Sequence, residues 1–447
     1  MKGVGTLLAT INSGDTAWVL VSAALVLLMT PGLAFFYGGM VRAKSVINMM
    51  LMSMIAIGVV SILWVLYGYA VAFGDSGSAW YGALSLSHLG SLVDAVPNNG
   101  GEYPIPTLAF SAFQLMFAVI TPALISGAIA DRAKFIAWTV FVAIWVTVVY
   151  FPVAHWVFDF GTVTDSGSSG AGFLAAKGVL DFAGGTAVHI NAGIAGLALA
   201  LVLGRRVGFK AQPMRPHSLP LIMIGAGLLW FGWFGFNAGS ALGANGTAAL
   251  ALMNSQVAAA AAAVGWLLVE RLRDGHATGL GAASGIVAGL VAITPACAFV
   301  TPAAAVALGL IAGVLCAFAV ALKYKFNFDD SLDVVGVHLV GGLWGTLSIG
   351  LFGTTSVNSL GADGLFYGGG TSLLGKQALG AGTVLVYSFV MTYILGKIID
   401  KTIGFRIDRD AEIEGIDFTE HAESAYELDT RTGSGSFGGS LRMAEEA

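Results

Sequence analysis

Of 447 residues, 56% are hydrophobic and only 11% charged, with a mean hydropathy of +0.82. A soluble domain carries about a quarter charged residues, so a soluble globular chain is excluded. The net charge of −5 gives no reason to expect a nucleic-acid partner, and in a membrane chain the placement of Lys and Arg says more than their sum.

Lys2 precedes a polar stretch at 12–16, and the apolar run that follows leads directly into further apolar segments, so no cleaved signal peptide is expected. Segments of about 20 apolar residues, the length that crosses roughly 30 Å of hydrocarbon as a helix, then recur. They predict an all-α polytopic membrane protein with eleven transmembrane helices near 16–39, 46–72, 106–130, 135–156, 179–203, 219–243, 248–269, 277–296, 302–322, 333–353 and 376–400. Cys297 and Cys316 fall in or beside these segments, which indicates neither a disulfide framework nor a metal site. No cofactor is indicated.

The basic residues sort by side. Arg42 and Lys44, Arg132 and Lys134, Arg205 to Arg215, Arg271 and Arg273, and Lys323 and Lys325 follow the odd-numbered helices, and six more lie at or beyond the end of the eleventh. Of the 21, only Lys2, Lys177 and Lys376 are left for the other face. By the positive-inside rule the amino terminus is outside and the carboxyl terminus inside. The external connections then carry Asp75, Asp94, Glu102, Asp159, Asp165 and Asp363, a potential that favours cations. Residues 1–400 form the membrane domain. Residues 401–447 form a cytosolic tail, acidic at first and disordered from about 431, where the sequence turns Gly- and Ser-rich.

Two apolar segments carry a histidine in a shared pattern. Val188-His189 is followed by Gly193 and Gly196, and Val337-His338 by Gly342 and Gly345. The two helices stand five apart and cross in opposite directions, the mark of an inverted five-helix repeat, about 16–203 and 219–353, with 376–400 as a final helix. At 1.5 Å per residue His189 lies roughly 18 Å below Lys177 and His338 roughly 13 Å above Asp329, so both approach mid-depth. Ionisable groups at that depth mark a pathway. His155 is read instead as a structural hydrogen-bonding residue. Asp181, near the outer start of the fifth helix, is read as a cap for backbone N–H groups.

Aromatic residues crowd "AFSAFQLMFAVIT", "YFPVAHWVFDF" and "LLWFGWFGFNAGSAL". Such rings usually pack, but their faces also attract cations. With "PGLAFFYGGMVR" (31–42), "FQLMFAVITPALISGAIADR" (113–132), "DFAGGTAVHINAG" (181–193), "WFGFNAGSAL" (233–242), "AITPAC" (292–297), "DVVGVH" (333–338) and the tail "GFRIDRDAEIEGIDFTEHAESAY", the chain resembles the ammonium transporter (Amt/Mep/Rh) family, specifically its microbial Amt branch.

The resemblance implies a homotrimer in the cell (plasma or inner) membrane, each protomer with a narrow pore for ammonium or ammonia and for methylammonium as an analogue. It implies an outer recruitment site at Phe117, Phe158 and Ser240, a gate of Phe117 and Phe236, and a pore lined by His189, His338, Trp233 and Tyr37. Asp181 matches the family's aspartate near the outer vestibule. Phe158 stands where many members have tryptophan, and phenylalanine is the weaker cation-π partner, so a weaker outer site is expected. Trp156 should point elsewhere. Ammonium would be recruited outside and lose a proton, and ammonia would cross the apolar lumen while the histidines could relay the proton. The family also implies a PII-type signal protein at the cytosolic face. The competing readings are an electroneutral Rh-like ammonia channel and an ammonium sensor acting through the tail. A membrane enzyme is not expected, since two histidines lack the carboxylate or cysteine partners of a catalytic set.

Overall fold

The computed structural model describes residues 11–74, 78–92, 103–164, 167–169, 171–212 and 214–426. Asp75, Asp94, Glu102, Asp165 and the Gly/Ser-rich end from 431 lie outside these residues.

Among the described residues ten helices are long and apolar enough to cross a membrane: α1 Ser13–Met40, α2 Val46–Phe73, α3 Thr107–Ile129, α4 Phe135–Phe158, α5 Gly185–Leu203, α6 Leu219–Gly239, α7 Gly246–Arg273, α9 Pro302–Phe326, α10 Val335–Phe352 and α11 Ser372–Thr402. Between α7 and α9 lies a shorter apolar helix, α8 Gly279–Ile293. Each predicted segment therefore has a helix, but the eighth, at 15 residues, would be about 22 Å long at 1.5 Å per residue. One small departure from an all-helical chain is an antiparallel ribbon, β1 Thr162–Thr164 with β2 Gly167–Ser169.

Local sequence sets several starts. Asn12 accepts from the N–H groups of Gly14 and Asp15 at 2.8 and 3.0 Å, Asn245 caps α7 through Ala248 N, and Thr278 caps α8 through Gly281 N, each satisfying an amide the helix leaves open. Without a strong hydrophobic drive between helices in lipid, small residues allow close backbone packing. The α1–α6 crossing is an example, since a Cβ on Gly225 would stand 2.3 Å from the Phe36 nitrogen. Helix α5 is the most buried of the ten, 89% inside the bundle against 28% for α11 and 33% for α2.

The ends of α1, α3, α5 and α9 meet in one buried ionic network. Arg206 grips Asp329 through Nε at 2.9 Å and Nη2 at 2.8 Å, and reaches Asp131 through Nη1 at 3.0 Å. Arg42 joins at Asp131 through Nε at 3.2 Å. Burial alone would raise both carboxyls. Arg206 and Arg132 instead hold Asp329 at about 2, and Arg206 and Arg42 hold Asp131 below its ordinary value. Loops rich in Lys and Arg thus gather at one end of the bundle.

The tail returns to that end in two short helices, α12 Arg409–Glu414 and α13 Ile416–His421. Its acidity favours either docking on basic cytosolic loops, such as Arg205, Arg206, Lys210 and Arg215, or staying free to meet a partner, and the tail docks. Arg205 bonds Asn327 instead and Arg206 is committed to the ionic network. The acidic side chains accept from backbone amides, Asp417 and Glu420 at helix starts and Glu412 in the loop between α5 and α6. Asp417 accepts from Ile47 N and Asn48 N at 3.0 and 2.8 Å, Glu420 from Phe135 N at 3.1 Å, and Glu412 from Val207 N at 2.6 Å. A helix amino terminus offers unpaired N–H groups and partial positive charge, which surface lysines cannot match at lower ordering cost.

Candidate functional site

Three cavities follow one another through the bundle. The outermost, of about 350 Å³, has Phe117, Phe158, Asp181 and Ser240 in its wall. The middle one, of about 10 Å³, is lined by Phe236, Trp233, His189 and His338 with aliphatic neighbours. The third, also about 10 Å³, has Tyr37, Asp333 and again His338. Each small cavity has room for about one water-sized molecule.

Phe117 belongs to the outer cavity and Phe236 to the middle one, and their ring centroids are 4.4 Å apart at an interplanar angle of 43°. The two rings form the partition between the cavities. Both are buried, at 2% and 0% exposure. Ser240 follows the last residue of α6. Its hydroxyl donates to the Phe236 carbonyl at 2.8 Å, which leaves its oxygen lone pairs to accept from a ligand. Trp156 points away from the outer cavity, donating to the Trp80 carbonyl at 2.8 Å and packing on Tyr387.

Behind the partition His189 stacks between neighbours, with ring centroids 6.0 Å from Phe236, 5.4 Å from Trp233 and 5.4 Å from His338. The Nδ1 atoms of the two histidines are 3.3 Å apart. One must donate and the other accept, so a single proton sits between them. His189 Nε2 is buried with no partner among the described residues. Trp233 is fixed by its Nε1–H donating to Thr294 Oγ1 at 2.8 Å, and Tyr37 by its hydroxyl donating to the Leu124 carbonyl at 3.0 Å.

Two matching devices place the histidines. Each sits in a π-helical first turn, Gly185–Ile190 in α5 and Val335–Leu339 in α10, a local widening frequent at functional sites. Asp181 lies four residues before the start of α5, where a helix beginning near 179 was expected. Its Oδ1 accepts from Gly184 N and Gly185 N and its Oδ2 from Thr186 N and Ala187 N, at 2.7 to 3.1 Å. The four bonds leave this carboxylate fully engaged as a cap. Asp330 does the same for α10, accepting from Val334 N at 3.1 Å and Val335 N at 2.7 Å. Both aspartates stand eight residues before their histidine. The rings meet because the helices cross closely: a Cβ on Gly193 would lie 2.4 Å from the Leu339 nitrogen.

Sequence reasoning passed over Asp330, although the repeated eight-residue Asp-to-His spacing was available to find it. It also passed over Phe113, which packs edge-on against Phe117 at 4.9 Å and shares the outer wall with Gln114. Nothing in the sequence separates Phe113 from the other phenylalanines of α3. His155 is hydrogen-bonded to the Ala72 and Ser78 carbonyls and to Asp159, outside the three cavities.

The sequence model of the Ammonium Transporter Family matches residues 17–426. An ammonium transporter of Mycobacterium tuberculosis (strain H37Rv) is 57% identical over 95% of this chain and 92% of its own length. The crystal structure of Candida albicans Mep2 superposes with a TM-score of 0.83 at 32% identity, covering 94% of each chain. A protein described as a sensor Amt protein gives a TM-score of 0.81 at 29% identity, over 91% of this chain and 98% of that one.

Proposed function

The chain belongs to the ammonium transporter family, and from that premise we propose that it moves ammonium across the cell membrane by binding the ion outside, removing one proton and conducting ammonia. The observation that carries this reading is the hydrogen-bonded pair His189 and His338 in a lumen one small molecule wide, behind the Phe117–Phe236 partition.

An intact cation at the bilayer centre costs from about 3 to more than 10 kcal/mol, and the middle cavity offers apolar walls rather than a ring of acceptors. Ammonium has protons to give up, and potassium has none. In the outer cavity the ion donates to Ser240 Oγ and sits against the faces of Phe117 and Phe158. The proton enters at His189 Nε2, the proton between the two Nδ1 atoms shifts to His338, and His338 releases its own Nε2 proton toward the inner cavity. The pair is left in the opposite tautomer and resets before the next cycle. Ammonia passes along the same lumen and regains a proton inside.

The protein works as a homotrimer with its amino terminus outside and all eleven apolar helices spanning. Its docked tail holds the inner ends of α2, α4 and the α5–α6 loop, and offers the surface for a PII-type partner. The test is purified protein in vesicles given ammonium, methylammonium or potassium. Ammonium and methylammonium should cross and potassium should not; equal passage of potassium would refute the reading.

A further inference from the structure

The outer cavity holds a carboxylate that the recruitment step leaves unused. Asp159 follows Phe158 at the end of α4 and lies in the same wall. Its Oδ1 accepts from Gly161 N at 2.9 Å, and its Oδ2 is 3.0 Å from His155 Nδ1. His155 Nδ1 is also 3.1 Å from the Ala72 carbonyl and Nε2 is 2.9 Å from the Ser78 carbonyl. Both ring nitrogens therefore face acceptors, the pattern of a ring that carries both protons. That ring has 1% of its side chain exposed and is not in the cavity wall, whereas the Asp159 side chain is 18% exposed. The pair thus turns its negative end to the cavity. Asp181 also reaches this wall, but four backbone amides occupy its oxygens.

We propose that Asp159 is a cation-binding and specificity-determining residue of the outer site, supplying by charge the attraction that Phe158 gives up relative to tryptophan. The proposal rests on the reading of this cavity as the place where ammonium is recruited. The carboxylate accepts an N–H of ammonium or methylammonium while the aromatic faces surround the remaining hydrogens. A carboxylate also attracts potassium, so potassium competes at the outer site without crossing, and selection falls to the proton-removing step behind the partition.

The experiment measures half-saturating ammonium and maximal rate in vesicles for wild type, Asp159→Asn and Asp159→Glu, at about 0.01 M and about 0.15 M ionic strength, where screening lengths are about 30 and 8 Å. Asp159→Asn should raise the half-saturating concentration about threefold to tenfold at low salt, with a much smaller change in maximal rate and a narrower gap at high salt. Asp159→Glu should stay near wild type. An unchanged half-saturating value in Asp159→Asn, a rise equal at both salt concentrations, or a loss of maximal rate alone would overturn the proposal. If Asp159→Asn does not assemble, the wild type decides: its half-saturating concentration must rise with salt, and salt independence overturns the proposal. A wild type that moves no ammonium would instead remove the proposed function itself.

Discussion

The twin caps yield an ordered prediction. Replacing Asp181 or Asp330 by asparagine leaves one carbonyl oxygen and turns an NH2 group toward backbone N–H donors. At position 330 one of two bonds is lost, Val334 N or Val335 N; at 181 two of four are lost. A buried polar group left unpaired costs about 1–3 kcal/mol, so Asp330→Asn should destabilise by about 1–3 and Asp181→Asn by about 2–6 kcal/mol on the same rule. Transport should fall further than stability suggests. The Nδ1 contact is already 3.3 Å, and about 1 Å of misplacement can cost on the order of a hundredfold in a positioned reaction. Thermal unfolding of the purified protein gives the stability order, and ammonium flux into vesicles gives the second quantity. Equal stability losses, a reversed order, or full flux in either variant would show that the caps do not place the histidines.

Phe158→Trp should lower half-saturating ammonium about threefold, the larger π face adding roughly 0.5–1 kcal/mol at an accessible site; an unchanged or raised value in the same flux assay refutes it. Deleting the chain from Gly404 removes the Asp417 and Glu420 contacts to helix starts and the Glu412 contact to the α5–α6 loop, and should leave the protein in its wild-type assembly with reduced flux, whereas deleting 431–447 should change flux little. Size-exclusion chromatography and flux together check this, and normal flux in the longer deletion would make the tail a passive extension. Asp329 is held at about 2, below its ordinary value, because Arg206 and Arg132 outweigh burial. A depressed carboxyl contributes stability above its unfolded pKa of about 3.9, here ~2 kcal/mol, and loses it as pH falls toward 2. Thermal midpoints should therefore be insensitive to this group between pH 7 and 5 and drop from about pH 4 downward, more steeply than in Asp329→Asn.

What was legible in the sequence follows from what membranes penalise. A histidine in an apolar run stands out, and His189 and His338, 149 residues apart, do meet. Apolar length located every helix, yet it could not show that α5 begins at Gly185, since Val179, Leu180 and residues 182–184 are apolar enough to extend the pattern past Asp181. Their place is fixed by Asp181 binding the amides that follow. The tail was legible only in part. Its acidity pointed to basic cytosolic loops such as the one carrying Arg205, Arg206, Lys210 and Arg215, or to a free tail; Glu412 does reach that loop, at Val207 N, but the other attracting groups are backbone N–H groups at the starts of α2 and α4, which no side-chain inventory contains. Asp159 was read as one charge of an outer loop, and only its place in the wall beside Phe158 gives it a part in the site.

The central claim is that the proton and ammonia separate at the histidine pair. The most direct measurement is the current evoked by an ammonium step across vesicles holding wild type, His189→Leu or His338→Leu, with flux followed in parallel. The account predicts an ammonium current in wild type, no potassium current, and loss of the ammonium current in both variants while each still purifies as the same assembly. Full current with unchanged selectivity over potassium in both variants would contradict it, as would ammonia flux without current in the wild type.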